Sequence, residues 1–167
     1  MQEKENLTPE KENVYDESQI QVLEGLEEPP AAVYLTSPDY LGNTADISGI
    51  SAIYKGGACT YSNDIKEKIL GVSSETLREF GAVSEQTASE MACGIRRAFD
   101  SDIGIGITGI AGPSSDNTLK PVGLIYVAIS FGSKTIVKEL RNCFSESIRT
   151  NNRLSAVETA LKLLGDI

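Results

Sequence analysis

The stretch TYSNDIK, Thr60 to Lys66, sets the Tyr61 phenol and the Lys66 amine five residues apart, where an extended segment turns into a helix. A desolvated lysine can lose its proton near neutral pH and act as a base, and a nearby phenol can relay that proton. The chain contains no histidine. Serine-histidine-aspartate triads, cysteine-histidine pairs and His-ligated metals are therefore excluded, and acid–base chemistry falls to a lysine, a tyrosine or a carboxylate. The plain alternative is a solvated lysine of ordinary pKa, about 10.4, beside a half-buried packing tyrosine.

A second candidate is the loop ITGIAGPSSDNTLKPVG, Ile107 to Gly123. Thr108, Gly109 and Gly112 follow a buried strand, and glycines there let backbone N–H groups turn toward a ligand as an anion or phosphate cradle. A tight loop whose glycines merely permit positive φ is the alternative. Arg149 and Arg153 stand four apart on a last helix. They could hold a phosphate, or form surface ion pairs worth less than about 1 kcal/mol each.

The elements that must position these residues follow from pattern. AAVYLT is expected to be a first strand, and SAIYKGGACTYS a second extended stretch that bends at Gly56-Gly57. Ser62 or Asn63 is expected to cap a short helix through Leu70, with Asp64 placed well against its dipole and Gly71 as its stop. Ser73 or Ser74 begins another helix ending at Gly81. Ser84 caps a longer one to about Phe99, with Ala88, Met91, Ala92, Ile95, Ala98 and Phe99 along its buried face. DIGIGIT, PVGLIYVAIS and KTIVKELRNC are strands, the last two joined at Phe131-Gly132-Ser133. A final helix from about Glu146 to Leu164 carries Ile148, Leu154, Val157, Ala160, Leu161 and Leu164 largely on one face. Interleaved strands and helices predict a layered α/β domain.

Residues 1–30 hold nine acidic and two basic side chains, a charge of −7, against −2 for the other 137 residues. This stretch is polar, ends in Pro29-Pro30 and has too little apolar surface to offset the entropy of ordering it, so a disordered acidic tail is expected, followed by one domain over 31–167. Neither part offers a basic footprint for nucleic acid. No apolar run reaches membrane-span length and no signal peptide opens the chain, so a cytoplasmic location is expected, with nuclear residence left open. The odd number of cysteines, Cys59, Cys93 and Cys143, argues against a disulfide framework or a zinc site, and all three are expected to be packing thiols, Cys59 and Cys93 buried.

From Asp46 to Leu164 the chain resembles the CinA C-terminal domain family of nicotinamide-nucleotide amidohydrolases. The resemblance rests on KGGACTYSNDIKEKILGVSSETL, FGAVSEQTASEMACGIRRAF, ITGIAGP, KPVGLIYVAIS and the pair Arg149/Arg153. It implies a layered α/β sandwich, a mixed sheet with flanking helices, needing no cofactor or metal and tending to form homo-oligomers. It also implies a serine nucleophile in an E-S-C-T-G-G motif assisted by Tyr61 and Lys66, hydrolysing the carboxamide of nicotinamide mononucleotide to release ammonia. Serine with a lysine base is a coherent substitute for histidine.

The nucleophile motif is where the chain departs. VYLTSP, Val33 to Pro38, aligns with it, so Tyr34 takes the serine's place and Ser37-Pro38 replaces the two glycines. A shifted first loop would bring Ser37, or less well Thr36, to that position, against the constraint of Pro38. Ser114, Ser115 and Asp116 follow TGIAGP where relatives continue with glycines, and a carboxylate there opposes anion binding. These departures predict a pseudoenzyme, kept as a binding or regulatory module with protein partners and a pyridine-nucleotide pocket that is possible rather than required. The alternative is a working amidohydrolase using a displaced hydroxyl. The tail carries KEN twice, at Lys4, Glu5, Asn6 and at Lys11, Glu12, Asn13. Both copies resemble the degron read by the anaphase-promoting complex, and Thr8-Pro9 between them resembles a phosphorylation site.

Overall fold

The computed structural model describes residues 52–115 and 119–167. The expectations for the acidic tail, the KEN motifs, the strand AAVYLT, Tyr34, Ser37 and Asp116 lie outside them.

Among the described residues, three strands form an antiparallel sheet in the order β1-β2-β3: β1 Ile103–Gly109, β2 Leu124–Phe131 and β3 Lys134–Arg141. The register places Ile105 opposite Ile129, and Ile129 opposite Ile136. Because side chains alternate along each strand, the sheet has two differently shaped faces. One carries Ile103, Ile105, Ile125, Val127 and Ile129, all buried against Ala156, Val157 and Ala160 of the last helix, Ile148–Gly165. The other carries Gly104 and Gly106, against which the longest preceding helix, Glu85–Ala98, lies nearly backbone to backbone. A Cβ at Gly106 would meet Ala92 N at 2.6 Å, and one at Gly104 would meet the Arg96 Cβ at 2.7 Å. Small residues face each other across this contact, Ala88 and Ala92 on the helix against Ala128 on β2. The result is a helix–sheet–helix sandwich, the layered α/β class read from the sequence.

Two of the helices start at the serine caps read from the sequence, Ser73 and Ser84, whereas Ser62 precedes the first helix without a side-chain cap bond. Counted in chain order, α1 opens as a turn at Asn63–Ile65 and continues as a wider π-helical stretch, Lys66–Leu70. Gly71 ends it at φ +66°, a conformation that favours glycine. In α2, Ser74–Glu79, the Ser73 hydroxyl accepts from Glu75 N at 3.2 Å, and Glu90 receives both Ser73 N and the Thr76 hydroxyl. In α3, Glu85–Ala98, the Ser84 hydroxyl accepts from Thr87 N at 3.2 Å. α4, Ile148–Gly165, starts two residues later than the pattern suggests, after Ser147 at φ +44°.

Several expectations need correction. The stretch from Tyr54 to Thr60 belongs to no strand of the described sheet. Gly56, at φ +146°, is there because the Phe99 ring occupies the place of a Cβ. Cys59 and Cys143 lie outside any helix or strand and are exposed, and Cys93 is half-buried beside Ser130 and Thr135. Ala98 is exposed, while Gly94 and Thr87 are buried on the inner face of α3.

Candidate active site

Lys66 is the most unusual ionisable group among those described. It sits where α1 widens into its π-helical stretch, only 6 % exposed. Its Nζ donates to Thr60 O at 2.8 Å and to Tyr61 O at 3.1 Å, so the side chain folds back on the corner that precedes its own helix. Burial holds the amine below the ordinary lysine range, with Cys59 pulling weakly the other way. The two carbonyls accept two of its N–H bonds and fix the direction of the amine.

Tyr61 does not join this arrangement. Its side chain is 87 % exposed, although its carbonyl holds the lysine. Two further hydroxyls in the segment are buried without a hydrogen-bond partner among the described residues, the Thr60 hydroxyl and the Tyr54 phenol. Burial raises the Tyr54 pKa. An unsatisfied buried hydroxyl is costly, and two in one seven-residue segment mark it as a place built around polar groups rather than apolar packing. Sequence reasoning passed over Thr60 and Tyr54, since neither a threonine nor a tyrosine beside a Gly-Gly bend signals an orphaned hydroxyl.

The second cluster gathers at the far end of β1. The Thr108 hydroxyl donates to Ala82 O at 2.6 Å and ties the strand end to the corner before α3. Gly109 closes β1 in register with Ile125, and the Ile125 Cγ1 lies 2.8 Å from where its Cβ would be, so that glycine serves packing. Gly112, at φ +84°, has Val122 Cγ1 2.5 Å from its own missing Cβ, and it precedes Pro113 through a cis peptide. Two side chains of α4 hold this loop. Arg149 donates to Gly112 O at 3.1 Å, and the buried Asn152 donates to Ala111 O at 3.0 Å while its own Oδ1 has no partner. Arg153 lies one turn on, half-buried. On the opposite side, Lys120 donates to Phe80 O at 2.7 Å and Val83 O at 2.6 Å, strapping the loop to the α2–α3 corner.

The structure thus gathers Thr108, Gly109, Gly112 and Arg149 around one loop, and sets Lys66 and Tyr61 at another corner with their side chains apart. Asn152 was missed because a polar residue on the inner face of an amphipathic helix breaks the pattern that identifies that face. Lys120 was missed because a lysine before proline in a loop carries no positional signal.

The family model for the CinA C-terminal domain matches residues 41–167. A competence-damage inducible protein of Clostridioides difficile is 52% identical over 116 residues, 70% of this chain and 27% of that protein. A CinA-like protein of Kosmotoga olearia is 50% identical over 96 residues, 58% of this chain and 23% of that protein. The chain therefore spans about a quarter of the length of these curated relatives. Among solved structures, the competence/damage inducible protein CihA from Agrobacterium tumefaciens superposes with a TM-score of 0.71 at 37% identity, covering 80% of this chain and 81% of that one. The competence damage-inducible protein A from Klebsiella pneumoniae gives 0.75 at 28% identity, with 89% and 90% covered. Motif, fold and sequence agree, and the chain belongs to the CinA C-terminal domain family.

Proposed function

We propose that this domain binds a pyridine mononucleotide on a CinA-type frame without hydrolysing it, and works as a binding or regulatory module. The observation that carries this reading is the segment VYLTSP, which sets Tyr34 where the family's serine nucleophile belongs and removes the two glycines beside it. A phenol is a poor acyl acceptor in this role. The loop held by Arg149 and Asn152 supports the binding half of the reading, because a turned, tethered backbone is a ready receptor for a phosphate.

A second reading, a working amidohydrolase, has Lys66 in its favour. A buried lysine with two N–H bonds committed and its pKa lowered is what a hydroxyl nucleophile requires. Ser37 would attack the carboxamide carbon while Lys66 takes its proton and passes it to the leaving nitrogen, so that the C–N bond breaks and ammonia is released. Water would then hydrolyse the acyl-serine.

Calorimetric titration of nicotinamide mononucleotide into the full chain, with ammonia assayed in the same cell, separates the two. Heat without ammonia is the expected result, and ammonia lost in Lys66→Ala would establish the second reading instead. Self-association, which family resemblance suggests, is read by light scattering over a concentration series. The degron reading of the two KEN motifs draws no support from the bacterial relatives. The tail is proposed as a solvated acidic segment available to protein partners.

A further inference from the structure

At the end of the sheet opposite Gly109 and Gly112, a cavity of about 410 Å³ opens between the last turn of α3 and the β2–β3 turn. That places it the length of β1, seven residues or roughly 20 Å, from the nucleotide loop. Its walls carry three cations, Arg96, Arg97 and Lys134, against one carboxylate, Asp100. In a chain where acidic residues outnumber basic ones by 24 to 15, this local excess of positive charge runs against the whole.

The cations divide by role. Arg96 is fixed: its NH1 donates to Gly132 O at 2.6 Å and reaches the Ser130 hydroxyl at 3.5 Å, while its Nε donates to Ser101 O at 3.3 Å. The side chains of Arg97 and Lys134 are exposed and make no hydrogen bond or ion pair among the described residues, the Arg97 guanidinium lying beside Gly71. Hydroxyls supply the rest of the wall. Ser130, 3 % exposed, points in from β2, and Thr135 and Ser133 come from the strand and turn beyond. The Ser130 hydroxyl accepts from the Cys93 thiol at 3.5 Å, which leaves its own proton to donate, and the Thr135 hydroxyl shares a bond with the Cys93 sulfur at 3.3 Å. Cations plus hydroxyl donors, with one arginine already locked, match a tetrahedral oxyanion. The volume exceeds what a bare phosphate fills, and no aromatic side chain lines the cavity to stack a base or pyridine ring.

We infer that this cavity is a binding site for a small non-aromatic phosphomonoester, held by Arg97 and Lys134 over the hydroxyls of Ser130, Ser133 and Thr135. It is independent of the nucleotide site proposed above and stands whether or not that site binds.

The test is a ¹H–¹⁵N NMR titration of the full chain at constant ionic strength with inorganic phosphate and with glycerol 3-phosphate, using chloride as the control. Saturable shifts confined to Arg97, Ser130 and the Gly132–Thr135 amides are expected from both phosphates and absent with chloride. Arg97→Ala and Lys134→Ala lie on exposed side chains, and each is expected to weaken binding about tenfold with the remaining spectrum unchanged. Tighter binding of the ester assigns the rest of the cavity to its organic body, and equal affinity for the two would overturn the assignment to an ester. No saturable shifts, shifts scattered over all surface cations, or binding unchanged in Arg97→Ala/Lys134→Ala would overturn the inference.

Discussion

Gly94→Ala offers a test in which two physical arguments predict opposite signs. Gly94 lies in the interior of α3, where alanine normally stabilises a helix by about 1 kcal/mol over glycine. Here a Cβ would be driven into the Leu70 carbonyl, with the carbonyl carbon at 2.7 Å and the Leu70 Cα at 3.0 Å. Because the carbonyl oxygen is nearer still, reaching ordinary contact near 3.5–4.0 Å requires α3 and the end of α1 to part by well over 1 Å. The obstacle is backbone, so no rotamer change relieves it, and parting also opens the Leu70, Met91 and Ile95 cluster. Overpacking costs about 1–3 kcal/mol, and an obstacle of rigid backbone puts this site at about 3, giving a net loss near 2 kcal/mol after the propensity gain. In a fold of this size that lowers Tm by roughly 8 °C, whereas propensity alone raises it by about 4 °C. Thermal unfolding followed by far-UV circular dichroism, with urea denaturation checking that m is unchanged, reads the difference. An unchanged or raised Tm would refute the claim that α1 and α3 touch backbone to backbone through this glycine.

Other outcomes follow from the same geometry. Ser84→Ala removes both the cap on Thr87 N and the bond to Gly81 O, and should cost about 1–2 kcal/mol in urea unfolding. Lys120→Ala should cost about 1–3 kcal/mol and loosen the loop before β2, visible as faster hydrogen exchange at Ile110 and Gly123. Burial lowers the Lys66 pKa, so between that lowered value and its ordinary 10.5 the unfolded chain holds the extra proton. Stability should therefore rise with pH across this window relative to Lys66→Met, and the difference should be flat below it. Parallel curves for the two proteins throughout would mean that Lys66 keeps an ordinary pKa.

Much of this frame was legible because caps and stops are local. Ser73, Ser84, Gly71 and the Phe131-Gly132-Ser133 turn all act where their residue types predict. The three strands were legible because apolar runs between turn residues have few other uses. What escaped the sequence is what depends on a distant partner. Gly94, Gly104 and Gly106 look like weak points in a helix and a strand until the opposing backbone is in view. Asn152 looks like a surface residue until Ala111 O is placed beside it. The chemistry divides along the same line. Lys66 could be named as a candidate base from the Y-S-N-x-x-K spacing, but its burial and its two carbonyl partners come from the fold.

The central claim is that the domain keeps the lysine of its family's site and has lost the turnover. The most direct measurement is ammonia released from nicotinamide mononucleotide over a prolonged incubation with stoichiometric full-length chain, beside Lys66→Ala and a heat-denatured control. The account predicts that all three release the same background. Ammonia above background from the unaltered chain, abolished in Lys66→Ala, would contradict it and place a working nucleophile within reach of that amine.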